Sequence, residues 1–224
     1  MTWTLPNILT VGRLLAALAL ALVFVILPRP FADWAALVLF VAAALTDFLD
    51  GYLARKWNQT SAFGRMLDPI ADKAMVVIAL AVLMGLNGLN ALLLVPASLI
   101  LFREVFVSGL REFLGADAGK LKVTGLAKWK TTVQMFAIPA LFLTGIFQAE
   151  YEAIYYTNDP GYLASIMAGQ AADEIGIMPT VWRFSVTQLI AIILIWLAAL
   201  LTIVTGADYF RKALPFLRDD RKES

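Results

Sequence analysis

The chain has 224 residues, 61% of them hydrophobic and only 16% charged, and its 18 Lys and Arg nearly balance its 17 Asp and Glu. That composition lies well outside the soluble average and fits one helical domain whose solvent is lipid. With no cysteine and no histidine, disulfide frameworks, thiol nucleophiles, phosphohistidine chemistry and the usual zinc sites are excluded, so any metal must be held by oxygen.

Apolar stretches of about 20 residues, the length a bilayer core demands, recur along the chain. They predict six transmembrane helices, over residues 8–27, 32–54, 66–86, 91–113, 131–147 and 184–205. Pro28 and Pro30 end the first, and Asn87, Gly88 and Asn90 mark the turn after the third. The opening Met-Thr-Trp-Thr-Leu-Pro-Asn lacks the basic start and small-residue cleavage site of a signal peptide, so the first helix is expected to be retained. Placing both termini inside puts every Lys and Arg except Arg29 and Arg183 on inner segments, which satisfies the positive-inside rule. The expected fold is therefore an all-α polytopic membrane bundle of six helices with cytoplasmic termini. It forms one domain over 1–224, with 148–183 as an outer loop insertion. That insertion carries Glu150, Glu152, Asp159, Asp173 and Glu174 together with Tyr151, Tyr155, Tyr156 and Tyr162, which suits a partly ordered interfacial cap. The basic run from Arg211 to Lys222 reads as an anchor to anionic lipid. No internal repeat is visible, which weakens a transporter built from inverted repeats.

The chain departs from lipid-like composition at two places. Asp47, Asp50, Gly51 and Ala54 share one face at the end of the second helix, and Gly64, Asp68 and Asp72 form a stripe at four-residue intervals at the start of the third. One carboxylate deep in a bilayer costs about 2.5–3.5 kcal/mol, so four together would cost roughly 10–14 kcal/mol if fully immersed and additive. Two divalent cations would offset both that cost and the mutual repulsion, and a donor set made only of oxygen favours Mg2+ or Mn2+ over zinc. Gly51, Ala54 and Gly64 remove bulk beside the acids, either for a phosphate to approach backbone or for close helix packing. Arg55 could anchor the helix end or grip a diphosphate with its planar fork. The second place runs from Arg103 to Lys130. Arg103 lies deep in the fourth helix with Arg111 two turns on, and arginine within a span is functional by default. Together with Lys128 or Lys130 they could form an anion pocket for a phosphate carried by the acceptor. Lys120 and Lys122 read as a solvated positive-inside loop.

The pattern Asp-x2-Asp-Gly-x2-Ala-Arg-x8-Gly-x3-Asp-x3-Asp, complete from Asp47 to Asp72, resembles the signature of the CDP-alcohol phosphotransferases. The resemblance implies that Asp47, Asp50 and Asp68 are metal ligands, and that Asp72 lies near two metals and serves as general base. It also implies that Gly51, Ala54, Arg55 and Gly64 border a CDP-lipid, and that the protein is a homodimer. Leu5-Pro-Asn7-Ile-Leu-Thr10-Val-Gly-Arg13, the stretch from Arg103 to Glu112, and Lys128-Trp-Lys130-Thr-Thr are similar to those of members whose acceptor is glycerol 3-phosphate. Asn7, Thr10 and Arg13 would equally suit an ordinary helix start and anchor. The expected activity is transfer of a phosphatidyl group from CDP-diacylglycerol to glycerol 3-phosphate, with release of CMP, in phospholipid biosynthesis at a bacterial inner membrane. The expected site faces the cytoplasm, and no nucleic-acid partner is expected. Two alternatives are a cardiolipin synthase with phosphatidylglycerol as acceptor and, from another class, an ion-coupled transporter using the carboxylates as a path.

Overall fold

A computed structural model describes residues 4–56, 61–115, 119, 121 and 125–217, with the side chains of 48–56, 127 and 128 outside that description. The described residues form seven helices: α1 (Leu5–Ile26), α2 (Phe31–Lys56), α3 (Ala62–Asn87), α4 (Ala91–Leu114), α5 (Gly125–Thr157), α6 (Pro160–Met167) and α7 (Ile177–Leu217). Among the described residues, five segments are long and apolar enough to cross a membrane: α1, α3, α4, α5 from Trp129 onward, and α7. The chain is thus a multi-pass membrane protein by length and composition.

The packing is that of a membrane bundle, with small residues inside and large apolar ones outside. Ala17, Ala36, Ala71, Ala79, Ala97, Ala137, Ala191 and Ala198 are fully buried, while Val25, Ile26, Val105, Phe102, Phe136 and Leu189 are exposed. In water that distribution would expose apolar surface everywhere. In lipid it lets backbones approach while the bulky side chains meet acyl chains.

The helices divide between two compact units. The first holds α1, α2, α3 to Leu86 and the segment Ile138–Ala191. Here α1 packs on α2, and Phe24 stacks on Phe142 with ring centroids 6.1 Å apart. The buried face of α1 is Pro6, Asn7, Thr10, Arg13, Ala17 and Leu20, a three-and-four spacing that presents polar groups at one end and small or apolar ones at the other. Ser61 caps α3, its hydroxyl accepting from the Gly64 N–H at 2.9 Å. The second unit holds Asn87–Ala137 and Ile192–Ser224. Asn90 caps α4 by accepting from Leu92 N–H at 3.0 Å, after Gly88 turns the chain at φ +58°. Val107, Leu114, Leu121, Tyr209 and Ala213 form its apolar cluster, and the Trp196 indole N–H donates to the Leu92 carbonyl at 3.0 Å.

The segment expected to be an outer loop is largely helical. Helix α5 runs ten residues past 147 because i,i+4 partners continue: Gln148 Nε2 donates to Glu152 Oε1 at 2.8 Å, and Tyr151 and Tyr155 rings sit 5.6 Å apart. Asn158 Nδ2 closes the end on the Ile154 carbonyl at 2.8 Å. Asp159 caps α6 through the Tyr162 N–H at 2.9 Å, and Leu163, Ile166 and Ile177 bury against one another. Asp173 accepts from the Ile177 and Met178 N–H groups at 3.0 and 2.9 Å, which starts α7 seven residues before the expected span.

Candidate active site

Three of the four aspartates in the acidic constellation have described side chains, and all three meet α1. Arg13 Nη1 lies 2.7 Å from Asp47 Oδ1 and 2.5 Å from Asp72 Oδ1, so one guanidinium bridges α2 and α3. The Arg13 side chain is only 2% exposed, whereas those of Asp47 and Asp72 are 50% and 45% exposed. The cation is therefore part of the floor, and the carboxylates reach toward open space. Thr10 Oγ1 donates to Asp68 Oδ1 at 2.7 Å, with the Pro6 carbonyl 3.0 Å away as a second acceptor. One turn earlier, the Ser61 hydroxyl donates to Asn7 Oδ1 at 2.8 Å.

Gly64 is where α3 comes closest to the start of α1. A Cβ there would stand 2.8 Å from Asn7 Oδ1 and 3.3 Å from Ser61 Oγ. The space that the glycine leaves is filled, on this side, by the asparagine amide. Asp50, Gly51, Ala54 and Arg55 belong to α2, and their side chains lie outside the described residues.

The acids fit hard cations by the chemistry of the donor set. Asp47, Asp68 and Asp72 present only oxygen, and two of them gather on a single nitrogen of Arg13. Among the described residues no three acidic side chains by themselves enclose an ion.

Arg103, Arg111 and Lys130 lie in the second unit, which also holds Glu104, a residue given no role from the sequence. Lys130 Nζ donates to Glu104 Oε1 at 2.6 Å, and Arg103 Nη1 lies 3.1 Å from the same oxygen. The three side chains are all largely buried, at 8%, 16% and 13% exposure for Lys130, Arg103 and Glu104. Lys130 also lies within electrostatic reach of Arg103 and Arg111. Arg111 is exposed and sets its guanidinium over the Tyr209 ring, 5.3 Å from the centroid. The Arg103 stem passes close to α7 because Gly206 has no side chain: a Cβ there would stand 3.0 Å from Arg103 Cγ. Lys120 and Lys122, and the side chain of Lys128, lie outside the described residues.

Comparison with known proteins gives the family. The profile of the CDP-alcohol phosphatidyltransferases matches residues 3–158, from the first described turn of α1 to the end of α5. The chain belongs to the CDP-alcohol phosphatidyltransferase family. A Cereibacter sphaeroides protein named CDP-diacylglycerol–glycerol-3-phosphate 3-phosphatidyltransferase is 57% identical over 222 residues, covering 99% of this chain and 100% of its own length. Proteins of the same name from Rickettsia bellii and Escherichia coli K12 are 38% and 39% identical. The first alignment covers 92% of this chain and 93% of the relative, the second 69% and 85%.

As a CDP-alcohol phosphatidyltransferase, the chain puts its acids on α2 and α3 and their partners on α1. In the sequence, Asn7, Thr10 and Arg13 belonged to the opening stretch that resembles members using glycerol 3-phosphate, and suited a helix start and anchor equally well. The signal that distinguishes them is their own three-residue spacing, 7, 10 and 13, which gives α1 a polar stripe on its buried face. Glu104 had its own signal, a second charge beside Arg103 inside an apolar helix.

Proposed function

We propose that the chain transfers the phosphatidyl group of CDP-diacylglycerol to glycerol 3-phosphate, giving phosphatidylglycerophosphate and CMP. The observation that carries this reading is the meeting of Asp47, Asp68 and Asp72 on Arg13 and Thr10, within a family member whose near-full-length relative bears that activity in its name. Asp47, Asp50, Asp68 and Asp72 would hold two divalent cations, magnesium by preference, which when bound offset negative charge on the diphosphate and on the departing CMP. Arg13 holds α2 and α3 together at Asp47 and Asp72, and Thr10 fixes the rotamer of Asp68. Asp72 accepts the proton of the acceptor hydroxyl as that oxygen bonds to the phosphorus bearing diacylglycerol. The bond to the bridging oxygen breaks, and CMP departs with its electron pair. Gly51, Ala54, Arg55 and Gly64 would border the CDP moiety. Arg103, Arg111, Lys128 and Lys130 would bind the acceptor's phosphate, with Glu104 holding Lys130 in place.

Six spans belong to the same proposal. Helix α2 has 26 residues and an unbroken apolar run from Trp34 to Leu45, which supports it as the sixth. Cytoplasmic termini, an inner-membrane location and a site facing the cytoplasm rest on the distribution of Lys and Arg. A homodimer rests on the family resemblance alone.

The test is CMP release from CDP-diacylglycerol by purified protein with magnesium, offered glycerol 3-phosphate and phosphatidylglycerol in separate reactions. Turnover with glycerol 3-phosphate only is expected, and turnover with phosphatidylglycerol only would move the enzyme to cardiolipin synthesis. Asp68→Asn should lower turnover by about a hundred- to a thousandfold while the protein stays folded, since removing one interaction that stabilises a transition state costs about that much. Retained activity would sink the assignment of the acids.

A further inference from the structure

Two buried polar atoms on facing stripes of α4 and α7 have no hydrogen-bond partner among the described residues: Arg103 Nε and Tyr209 Oη. Thr202 Oγ1 shares that condition, but a helical threonine can turn its hydroxyl to its own preceding carbonyl at little cost. Arginine and tyrosine have no such local remedy. Tyr209 is 6% exposed, and its ring is fixed among Val107, Leu114, Leu121 and Ala213. A phenyl ring would fill that place as well as a phenol does, without the penalty of an unpaired buried hydroxyl. The hydroxyl therefore stands where a partner is wanted.

The chemistry of that partner follows from its neighbours. An Arg Nε–H can only donate, so the missing atom on that side is an acceptor oxygen. The Arg103 stem crosses α7 at Gly206, three residues before Tyr209, and Arg111 covers the Tyr209 ring. With Lys130 held beside Arg103 by their shared contact to Glu104, the surrounding charge favours an anion with several oxygens. We infer that the Tyr209 hydroxyl donates to a phosphate oxygen of the acceptor alcohol, making Tyr209 a binding residue of this site that lies beyond the segment matched by the family profile. The inference rests on the proposal that Arg103, Arg111 and Lys130 bind that phosphate.

The test is Tyr209→Phe, which removes one oxygen, assayed in mixed micelles with magnesium at varied glycerol 3-phosphate and varied CDP-diacylglycerol. The expected result is a KM for glycerol 3-phosphate raised about tenfold, as for loss of one charge-assisted hydrogen bond, with kcat within about twofold and the KM for CDP-diacylglycerol unmoved. The ligand-free variant should unfold at a temperature no lower than the parent, because it loses an unpaired polar atom. Its unfolding midpoint should also rise less than the parent's on addition of glycerol 3-phosphate. An unchanged KM would overturn the inference. So would a lower midpoint without ligand, which would mean the hydroxyl has a partner in the fold. A variant that loses stabilisation by phosphatidylglycerol micelles but not by glycerol 3-phosphate would point to a lipid headgroup and overturn the acceptor assignment. Lys130→Met and Arg103→Lys separate the two levels. If neither raises the KM for glycerol 3-phosphate, the acceptor-site reading itself fails; if both do and Tyr209→Phe does not, only the role of Tyr209 fails.

Discussion

Arg13 decides how the acidic constellation is built. Its Nη1 alone meets carboxylates on two different helices from a buried position, a place that suits a weakly hydrated guanidinium better than the strongly hydrated ammonium of lysine. Because Asp47 and Asp72 are about half exposed, Arg13→Lys should cost stability nearer the ~1 kcal/mol of a screened ion pair than the 3–5 kcal/mol of a fully buried one. Turnover should fall much further, by about a hundredfold, since a carboxylate displaced by 1 Å is enough to misalign a reacting pair. Thermal unfolding and CMP release on the same preparation check this, and a parallel loss of both would reduce Arg13 to a structural brace. The sequence marked the aspartates because carboxylates in an apolar helix are costly and their spacing is fixed. It left Arg13 ambiguous because an arginine near a helix end is also what an inner membrane surface selects.

At the scale of helices, two contacts set how elements meet. Arg29 Nε and Nη2 reach Asp33 Oδ2 and Oδ1 at 2.8 and 2.9 Å, and Asp33 is 1% exposed in the first turn of α2, where a helix N-terminus favours an anion. The pair lies against Gly145 of α5, where a Cβ would collide with both Asp33 Oδ1 and Arg29 Nη2. Gly145→Ala should therefore destabilise the protein by about 1–3 kcal/mol, read as a lower unfolding midpoint, and no change would mean that the ion pair can step aside. At the start of α7, loss of solvent pushes the Asp173 carboxyl up, but hydrogen bonds from the backbone of Met178, Ile177, Gly176 and Ile175 outweigh it and hold the group below the usual carboxylate range. A depressed folded value means that this cap contributes fully above the unfolded value of about 3.9 and is lost as pH falls through the folded one. The amide resonances of Ile177 and Met178 should titrate with a midpoint under about 3.9, and Asp173→Asn should abolish the transition. A midpoint at or above 3.9 would contradict the cap. These contacts explain why helix replaced the expected outer loop: the apolar count ended the span at 147, but Gln148–Glu152, Tyr151–Tyr155 and the Asp173 carboxylate sustain helix without apolar content.

For the molecule as a whole, hydropathy made the helical membrane class and the starts of α2 and α4 plain, because lipid imposes length and apolarity together, whereas α3 begins four residues before the expected span, where Ser61 caps it. It could not give the ends of α5 and α7, since 33 and 41 residues exceed what a bilayer requires and the excess is held by capping and pairing. Nor could it show that Lys130 reaches back 26 residues to the Glu104 that Arg103 also contacts. Topology can be tested directly, because the chain has no native cysteine. In intact cells Gln170→Cys should react with an impermeant maleimide and Gly119→Cys should not until the membrane is opened; the reverse pattern would invert the proposed orientation. Finally, the partners of the acids come first in the chain. Thr10 and Arg13 leave the ribosome before Asp47, Asp68 and Asp72, so each emerging carboxylate enters a bilayer in which its donor already waits. Vectorial synthesis thereby spares the nascent protein a stage at which bare acids sit in hydrocarbon.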